Sequence, residues 1–393
     1  CKMKKGGHIA VDDDAAKKVY VAPGHYDEFY DFVSGGFSGQ VAVYGLPSGR
    51  LIKVIPVFSQ NAENGYGYDE NTKPLLMTSF GFVPWGDAHH TQLSETDAMY
   101  DGRWAFINEN NTPRIARIDL KRFQTAEIIE IPNTGGDHAS PFITCNTEYV
   151  VAGSRFSVPF DFENGDVAIK DYKKDFRGTV SYIKVDKNTG HMSLDFQLAL
   201  PPFDYDLSHS GKGPSADWSF FTCYNTEMAH SMLEVNASQN DKDYILAINW
   251  KKAAEHAAKG DFVMKDAKYA HNVMDFSKNQ ATSEILNKVK MIDTKKYHDF
   301  LYFIPCPKSP HGVDVDPTGE YIVKLSANLP VFSFSKIQEA IKNKQFDGEV
   351  EGIPVIKYEA ALHGEVQSPG LGSLHTEFDA DGNAYTSFFI SSE

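Results

Sequence analysis

Ser309-Pro310-His311-Gly312-Val313-Asp314-Val315-Asp316-Pro317-Thr318-Gly319-Glu320-Tyr321-Ile322-Val323 sets a histidine ahead of an apolar stretch, a D-x-x-G turn and a strand-forming run. Ser373-Leu374-His375-Thr376-Glu377-Phe378-Asp379-Ala380-Asp381-Gly382-Asn383-Ala384-Tyr385-Thr386 repeats that layout. Glycine follows the histidine by 8 residues in the first copy and by 7 in the second. Two looser copies stand upstream. His89-His90 precedes Asp101-Gly102 and the run at Trp104, and His138 precedes Asn146-Thr147 and the run at Tyr149. Strand, tight turn, strand at a period of about 40–50 residues is the signature of propeller blades. His138 follows His90 by 48 residues, one blade, and His375 follows His311 by 64, one blade with an insertion. The 173 residues from His138 to His311 predict three more blades.

The rest of the chain agrees with an all-β architecture. Alternation and β-branched or aromatic content predict short strands at 40–44, 51–57, 104–108, 149–152, 180–185, 244–249, 321–325 and 384–390. Only 251–259 (KKAAEHAAK) and 336–344 (KIQEAIKNK) carry helical pattern, and both read as surface insertions. The 393 residues include 27 Phe, 19 Tyr, 30 Gly and 19 Pro, which favours strands and turns over a helical bundle. That length divides into two or three domains at about 150 residues each, yet one propeller can use all of it. Residues 1–18 are polar and charged and read as a flexible amino-terminal segment; 19–393 read as the propeller.

Apolar residues make up 41 % and charged residues 23 %, a soluble globular composition. The net charge of -15 argues against a nucleic-acid partner, which needs a basic face. No run reaches the roughly 18 apolar residues of a membrane span, and no signal peptide is present. The chain begins at Cys1 rather than Met. A bacterial lipoprotein looks like this once its signal is removed, and an arbitrary start reads equally well. Cys145, Cys223 and Cys306 are scattered with no C-x-x-C pair, which argues against a zinc or thiol-redox site and for small buried residues.

If each histidine opens the same strand of its blade, His89, His90, His138, His311 and His375 converge on the propeller axis. Imidazole suits copper, zinc, iron and nickel. Five converging imidazoles exceed what one tetrahedral zinc takes, which points to a multinuclear centre, with copper favoured by so many neutral nitrogen donors. A single histidine at a turn is most often a hydrogen-bonding surface residue; five at matching places in a repeat are not. His8, His25, His191, His209, His230, His256, His271, His298 and His363 lack the pattern and read as solvent or loop residues. Asp87, two residues before His89, either orients an imidazole or relays protons, or is a turn residue.

Asp87-Ala88-His89-His90, followed by Tyr100-Asp101-Gly102-Arg103-Trp104-Ala105-Phe106-Ile107-Asn108, resembles the catalytic domain of the nitrous oxide reductases. So do Thr112-Pro113-Arg114-Ile115-Ala116-Arg117-Ile118, Tyr224-Asn225-Thr226-Glu227, Pro307-Lys308-Ser309-Pro310-His311-Gly312 and Gly370-Leu371-Gly372-Ser373-Leu374-His375-Thr376. The resemblance runs from about residue 18 to the end, in family order, and its flavour is the Sec-exported branch.

The resemblance implies a seven-bladed propeller, incomplete in this chain, followed in the family by a cupredoxin domain that this chain lacks. It implies a four-copper sulfide cluster bound by seven histidines, five of them His89, His90, His138, His311 and His375, with two more further along a longer polypeptide. The family's dinuclear electron-accepting copper lies in the cupredoxin domain. A calcium ion is also implied; Tyr224 and Glu227 match its ligands, and Asp241 or Asp243 follows. Where several members place an Asn ligand two residues before the fourth cluster histidine, this chain has Ser309. The implied reaction, the last step of denitrification, reduces nitrous oxide to dinitrogen and water. Asp87 is the candidate for proton delivery or orientation. The resemblance further implies a periplasmic or cell-envelope location, a lipid anchor if Cys1 is acylated, a cytochrome c or other periplasmic donor, and a head-to-tail homodimer. The chain alone, without its own electron-accepting site, is expected not to turn over. A non-catalytic propeller, serving as a binding platform or copper-holding module, is the competing reading. A quinoprotein-like or lactonase-like enzyme has no supporting motif.

Overall fold

The computed structural model describes residues 13–78, 81–110, 112–138, 142–159, 172–224, 243–267, 273–275, 280–284, 288–307, 311–325, 328–367, 370, 372–379 and 381–391. Four four-stranded antiparallel meanders dominate it. The first of these comprises Ala88–Thr96, Met99–Glu109, Arg114–Asp119 and Gln124–Glu130. The next is Phe142–Ile143, Tyr149–Gly153, Phe176–Val185 and Met192–Leu200. Then come Asp204–Ser210, Trp218–Tyr224, Asp243–Asn249 and Leu301–Cys306, and finally Val313–Val315, Tyr321–Lys324, Asn328–Ser333 and Leu362–Gln367. A three-stranded sheet (Phe29–Ser34, Gln40–Leu46, Arg50–Pro56) precedes them and a hairpin (Ser373–Phe378, Ala384–Phe388) follows. The six are called sheets one to six below. The first strand of each sheet contacts the first strand of the next, so these strands gather around a common axis and the sheets radiate outward.

The sequence dictates this packing through the two-residue period of a strand. In Asp243–Asn249, Ile245 and Ala247 pack with Val313, Ile322 and Phe332 of sheet five. Leu246 and Ile248 of the same strand pack with Val180, Tyr182 and Phe196 of sheet three. Met99–Glu109 does likewise: Ala105 and Ile107 meet Val41, Val43 and Ile55 of sheet one, while Phe106 meets Val150, Ala152 and Ile183 of sheet three. A middle strand thus serves two interfaces. That is why these strands read as continuous apolar runs rather than as half-buried alternation.

The strands expected at 40–44, 104–108, 149–152, 180–185 and 244–249 lie inside observed strands, and those at 51–57, 321–325 and 384–390 overlap theirs. The D-x-x-G turns have a common cause. Asp316 accepts from the Thr318 and Tyr321 amides, Asp379 from those of Asp381 and Asn383, and each carboxylate folds its own turn. Gly319 is required twice over: its φ is +74°, and a Cβ there would stand 1.8 Å from the Lys212 carbonyl oxygen.

Among the described residues between His138 and His311 there are two four-stranded sheets, where three blades were expected. The difference lies after Asn249. Helix Trp250–Lys259 opens there, its N-terminus capped by the Asn249 side chain, and buries Trp250, Ala253 and Ala257. The strands that follow enlarge earlier sheets. Val263–Asp266 and Lys288–Asp293 extend sheet three, and Val273–Asp275 and Gln280–Glu284 extend sheet two. The interval from His311 to His375 holds one sheet plus the inserted helix Phe334–Lys342 and the pair Phe346–Val350 and Ile353–Ile356, which joins sheet four. Cys223 is buried as expected, whereas Cys145 and Cys306 are partly exposed. Among the described residues no helix is long and apolar enough to cross a membrane.

Candidate metal centre

All five histidines of the repeat come together. His89 and His90 sit at the head of the first strand of sheet two, and His138 just ahead of sheet three. His311 lies two residues before sheet five, and His375 in the first strand of the hairpin. Ring centroids are 4.6 Å apart for His89–His90 and for His89–His138. Four imidazoles close a loop: His90–His138 at 5.3 Å, His138–His311 at 5.6 Å, His311–His375 at 5.5 Å and His375–His90 at 5.1 Å. One ring nitrogen from each of His89, His90 and His138 lies within 4.8 Å of the other two.

The backbone around these rings is held from several sides. Asn108, fully buried, accepts from the His90 amide at 2.8 Å and donates from Nδ2 to the Asp137 carbonyl at 2.6 Å. One side chain therefore ties the two ligand-bearing segments together. Upstream of His138, Asn133 donates to Gln197 Oε1 at 3.0 Å, and its carbonyl accepts from Thr179. The His311 carbonyl accepts from Thr222 Oγ1 at 2.9 Å. The Thr376 amide, next to His375, donates to Asp314 at 2.8 Å.

Among the described residues, sheet four brings no histidine to this point. Its first strand, Asp204–Ser210, brings Asp206, which is 1 % exposed. Asp206 Oδ1 pairs with His138 Nδ1, and Oδ2 lies 3.6 Å from His311 Nδ1. Burial works to raise this carboxyl, but the adjacent His138 prevails and holds it below the usual range. As a carboxylate it accepts from His138 Nδ1–H and leaves Nε2 facing inward. A scan for histidines misses Asp206; its signal is its place in the first strand of a sheet whose neighbours put histidine there. Asp87, also buried, lies 3.4 Å from His89 Nδ1 through Oδ1 and accepts from Asn110 Nδ2 at 3.1 Å through Oδ2. It therefore sits where a carboxylate can orient His89. Asp137 is fully buried, and among the described residues neither of its carboxylate oxygens has a hydrogen-bond partner. Burial, then the nearby Glu109, pushes it well above the carboxylate range.

The donor set suits a soft or borderline metal. His138 Nε2 and His89 Nε2 face each other at 3.0 Å, so they cannot both carry a proton. Among the described residues, the buried Nε2 of His90 has no hydrogen-bond partner. Burial lowers the pKa of His89, His90 and His311 and brings that of His375 down to about 4, reinforced by the neighbouring imidazoles. Neutral imidazole is the form that ligates. These residues fit a copper centre.

Of the other expected positions, Tyr224 ends strand Trp218–Tyr224; Glu227 and Asp241 lie outside the described residues, as do Ser309, His8, His230 and His271. His191 pairs with Glu127 at 2.7 Å, His256 with Asp261 at 2.8 Å and Asp299 at 2.9 Å, and His209 with the Ser210 carbonyl at 2.7 Å.

No family model matches the chain. It is 30 % identical over 396 residues to the nitrous-oxide reductase of Pseudomonas fluorescens, an alignment covering 98 % of this chain and 55 % of that one. It is 32 % identical over 409 residues to the nitrous-oxide reductase of Cupriavidus necator, covering 99 % and 56 %. Among solved structures it resembles Kuenenia stuttgartiensis hydrazine synthase, with a TM-score of 0.50 at 13 % identity, over 92 % of this chain and 80 % of that one. That likeness bears on the fold alone. Along nearly its whole length the chain is a homologue of the nitrous-oxide reductases, and it spans about 55 % of the length of the first of these relatives.

Proposed function

We propose that this chain is the histidine-bearing propeller portion of a nitrous-oxide reductase that converts N2O, two protons and two electrons to N2 and H2O. The observation that carries the reading is the convergence of five imidazoles from four different sheets. His89, His90, His138, His311 and His375 would hold the copper, as the four-copper sulfide cluster of a complete seven-bladed propeller. When bound, that reduced cluster supplies the two electrons to an otherwise inert molecule.

The chain's own residues prepare the site. Asp206 fixes the tautomer of His138 and presents its Nε2. Asp87 orients His89 and is the candidate for proton delivery. Asn108 sets the separation of the His90 and His138 segments. Burial lowers the pKa of His89, His90, His311 and His375 and so favours their neutral, ligating form. The same reading includes calcium at Tyr224, Glu227 and Asp241, a periplasmic or envelope location, a periplasmic electron donor and a dimer.

Copper content tests it. The chain is loaded with Cu(I) and sulfide under anaerobic conditions, and metal per chain and N2O loss from reduced viologen are measured. Several coppers per chain, lost in His138→Ala, support the reading. A chain that binds no copper overturns it in favour of a binding platform.

A further inference from the structure

On the outer side of sheet three, beyond its fourth strand, lies a concavity of about 630 Å³ that the copper reading does not use. Five cations line it: Lys174, Arg177, Lys265, Lys295 and Lys296. Among the described residues, Asp293 is the single acidic one in the lining. Its Oδ1 accepts from the Lys295 amide, so it serves the turn. Glu351 reaches in from the strand pair added to sheet four. Its Oε1 lies 3.1 Å from Arg177 and 3.7 Å from Lys295, so one carboxylate oxygen answers two cations. Arg177 is buried, with its side chain 10 % exposed. Arg177 thus forms the buried floor of the hollow, while Lys174, Lys295 and Lys296 stand exposed around it.

The charge runs against the rest of the molecule, whose net charge is -15. With Asp293 in the lining, Glu351 beside Arg177 and Lys295, and Asp175 3.9 Å from Lys174, five cations face three carboxylates, and the surplus of positive charge favours an anion in the hollow. The remaining walls are apolar: Ala199, Phe262, Met291 and, at the rim, Val263 and Met264. Val263 and Met264 are each 51 % exposed, although both belong to a strand. Exposed aliphatic side chains beside a cationic wall suit a ligand with a charged end and an apolar body. The volume lies in the range of about 300–1,000 Å³ typical of small-molecule sites.

We propose that this concavity binds a small organic polyanion, its phosphate or carboxylate groups on Arg177, Lys295 and Lys296 and its apolar body against Met264, Phe262 and Met291. The site is independent of the copper reading, since none of its residues touches the histidines.

Calorimetric titration tests it, with ATP as a probe carrying both features and tripolyphosphate as a probe carrying charge alone. The expected result is one saturable site per chain, with ATP bound more tightly than tripolyphosphate. Lys295→Glu/Lys296→Glu should weaken both by at least tenfold. Lys121→Glu/Arg122→Glu makes the same charge change in a turn of sheet two and should alter binding less than twofold. Met264→Ser should weaken ATP and leave tripolyphosphate unchanged. Circular dichroism establishes that each variant is folded. Absence of saturable binding by either probe, or equal losses in the two charge-reversal variants, overturns the proposal. Recruitment to phosphatidylglycerol vesicles without saturable ATP binding also overturns it, in favour of a membrane-facing surface.

Discussion

The imidazole of His138, at the head of sheet three, is held by the carboxylate of Asp206, in the first strand of sheet four. The same carboxylate faces His311 of sheet five at 3.6 Å. One buried acid thus couples histidines from the sheets on either side of its own. Asp206→Asn keeps the shape but offers an amide where a carboxylate stood. It is expected to lower copper affinity by about 10–100-fold, the range for partners that orient metal ligands. Competition with a calibrated Cu(I) chelator measures this, and unchanged affinity would exclude the orienting role.

Asn108 joins two backbone groups that have no other described partner for these bonds. Asn108→Ala would leave the His90 amide and the Asp137 carbonyl unsatisfied in a dry region. At about 1–3 kcal/mol for each of the two unsatisfied groups, a loss of about 2–6 kcal/mol in unfolding free energy is expected. Urea denaturation of the metal-free chain reads it; a loss below about 0.5 kcal/mol, the size of an ordinary surface substitution, would contradict the clamp.

Glu109 and Arg114 form an ion pair at 2.6 Å with both side chains fully buried. Arg114→Met removes one partner and is expected to cost about 3–5 kcal/mol, because an uncompensated group remains inside. Glu109→Gln/Arg114→Met should recover part of that loss. A double variant no more stable than Arg114→Met alone would show that packing, not charge, accounts for the cost.

Acid should destabilise the metal-free chain. The folded pKa values of His89, His90 and His311 are lowered, and that of His375 reaches about 4, all chiefly by burial. Between these values and the unfolded value of about 6.5, the folded chain binds fewer protons than the unfolded one. This contribution is therefore fully present above about pH 6.5 and is lost as pH falls toward 4. Asp314 acts in the opposite sense, since burial raises it to about 7. Thermal melts at pH 7.5 and 5.0 should show a smaller acid loss in His375→Gln and a larger one in Asp314→Asn. Identical losses in all three proteins would contradict both assignments.

Much of the site was legible from the sequence because its marks are local. A histidine, a D-x-x-G turn and a strand recur in order, and each turn is closed by its own aspartate within five residues. The paired His89-His90 and the single histidines at 138, 311 and 375 needed only that frame to be placed on one axis. Asp243–Asn249 was likewise legible from its β-branched and aromatic content, which suits an extended backbone buried on both faces.

The amino-acid sequence by itself thus determined the all-β class, the radial repeat and the five converging imidazoles. Tertiary structure alone decided which other groups complete the site and how the long interval is used. Asp206 lies 68 residues from His138, and no local pattern announces a carboxylate standing where a repeat elsewhere has imidazole. The stretch after Asn249 contains good strands, but whether they form a new sheet or extend old ones depends on which edges are open, here that of Met192–Leu200. The basic concavity draws on Lys174 and Lys296 and is steadied by Glu351. Charges so far apart in the chain meet because Lys288–Asp293 and Val263–Asp266 join the open edge of sheet three and the pair Phe346–Val350 and Ile353–Ile356 joins sheet four, a long-range consequence of satisfying open strand edges that no local pattern announces.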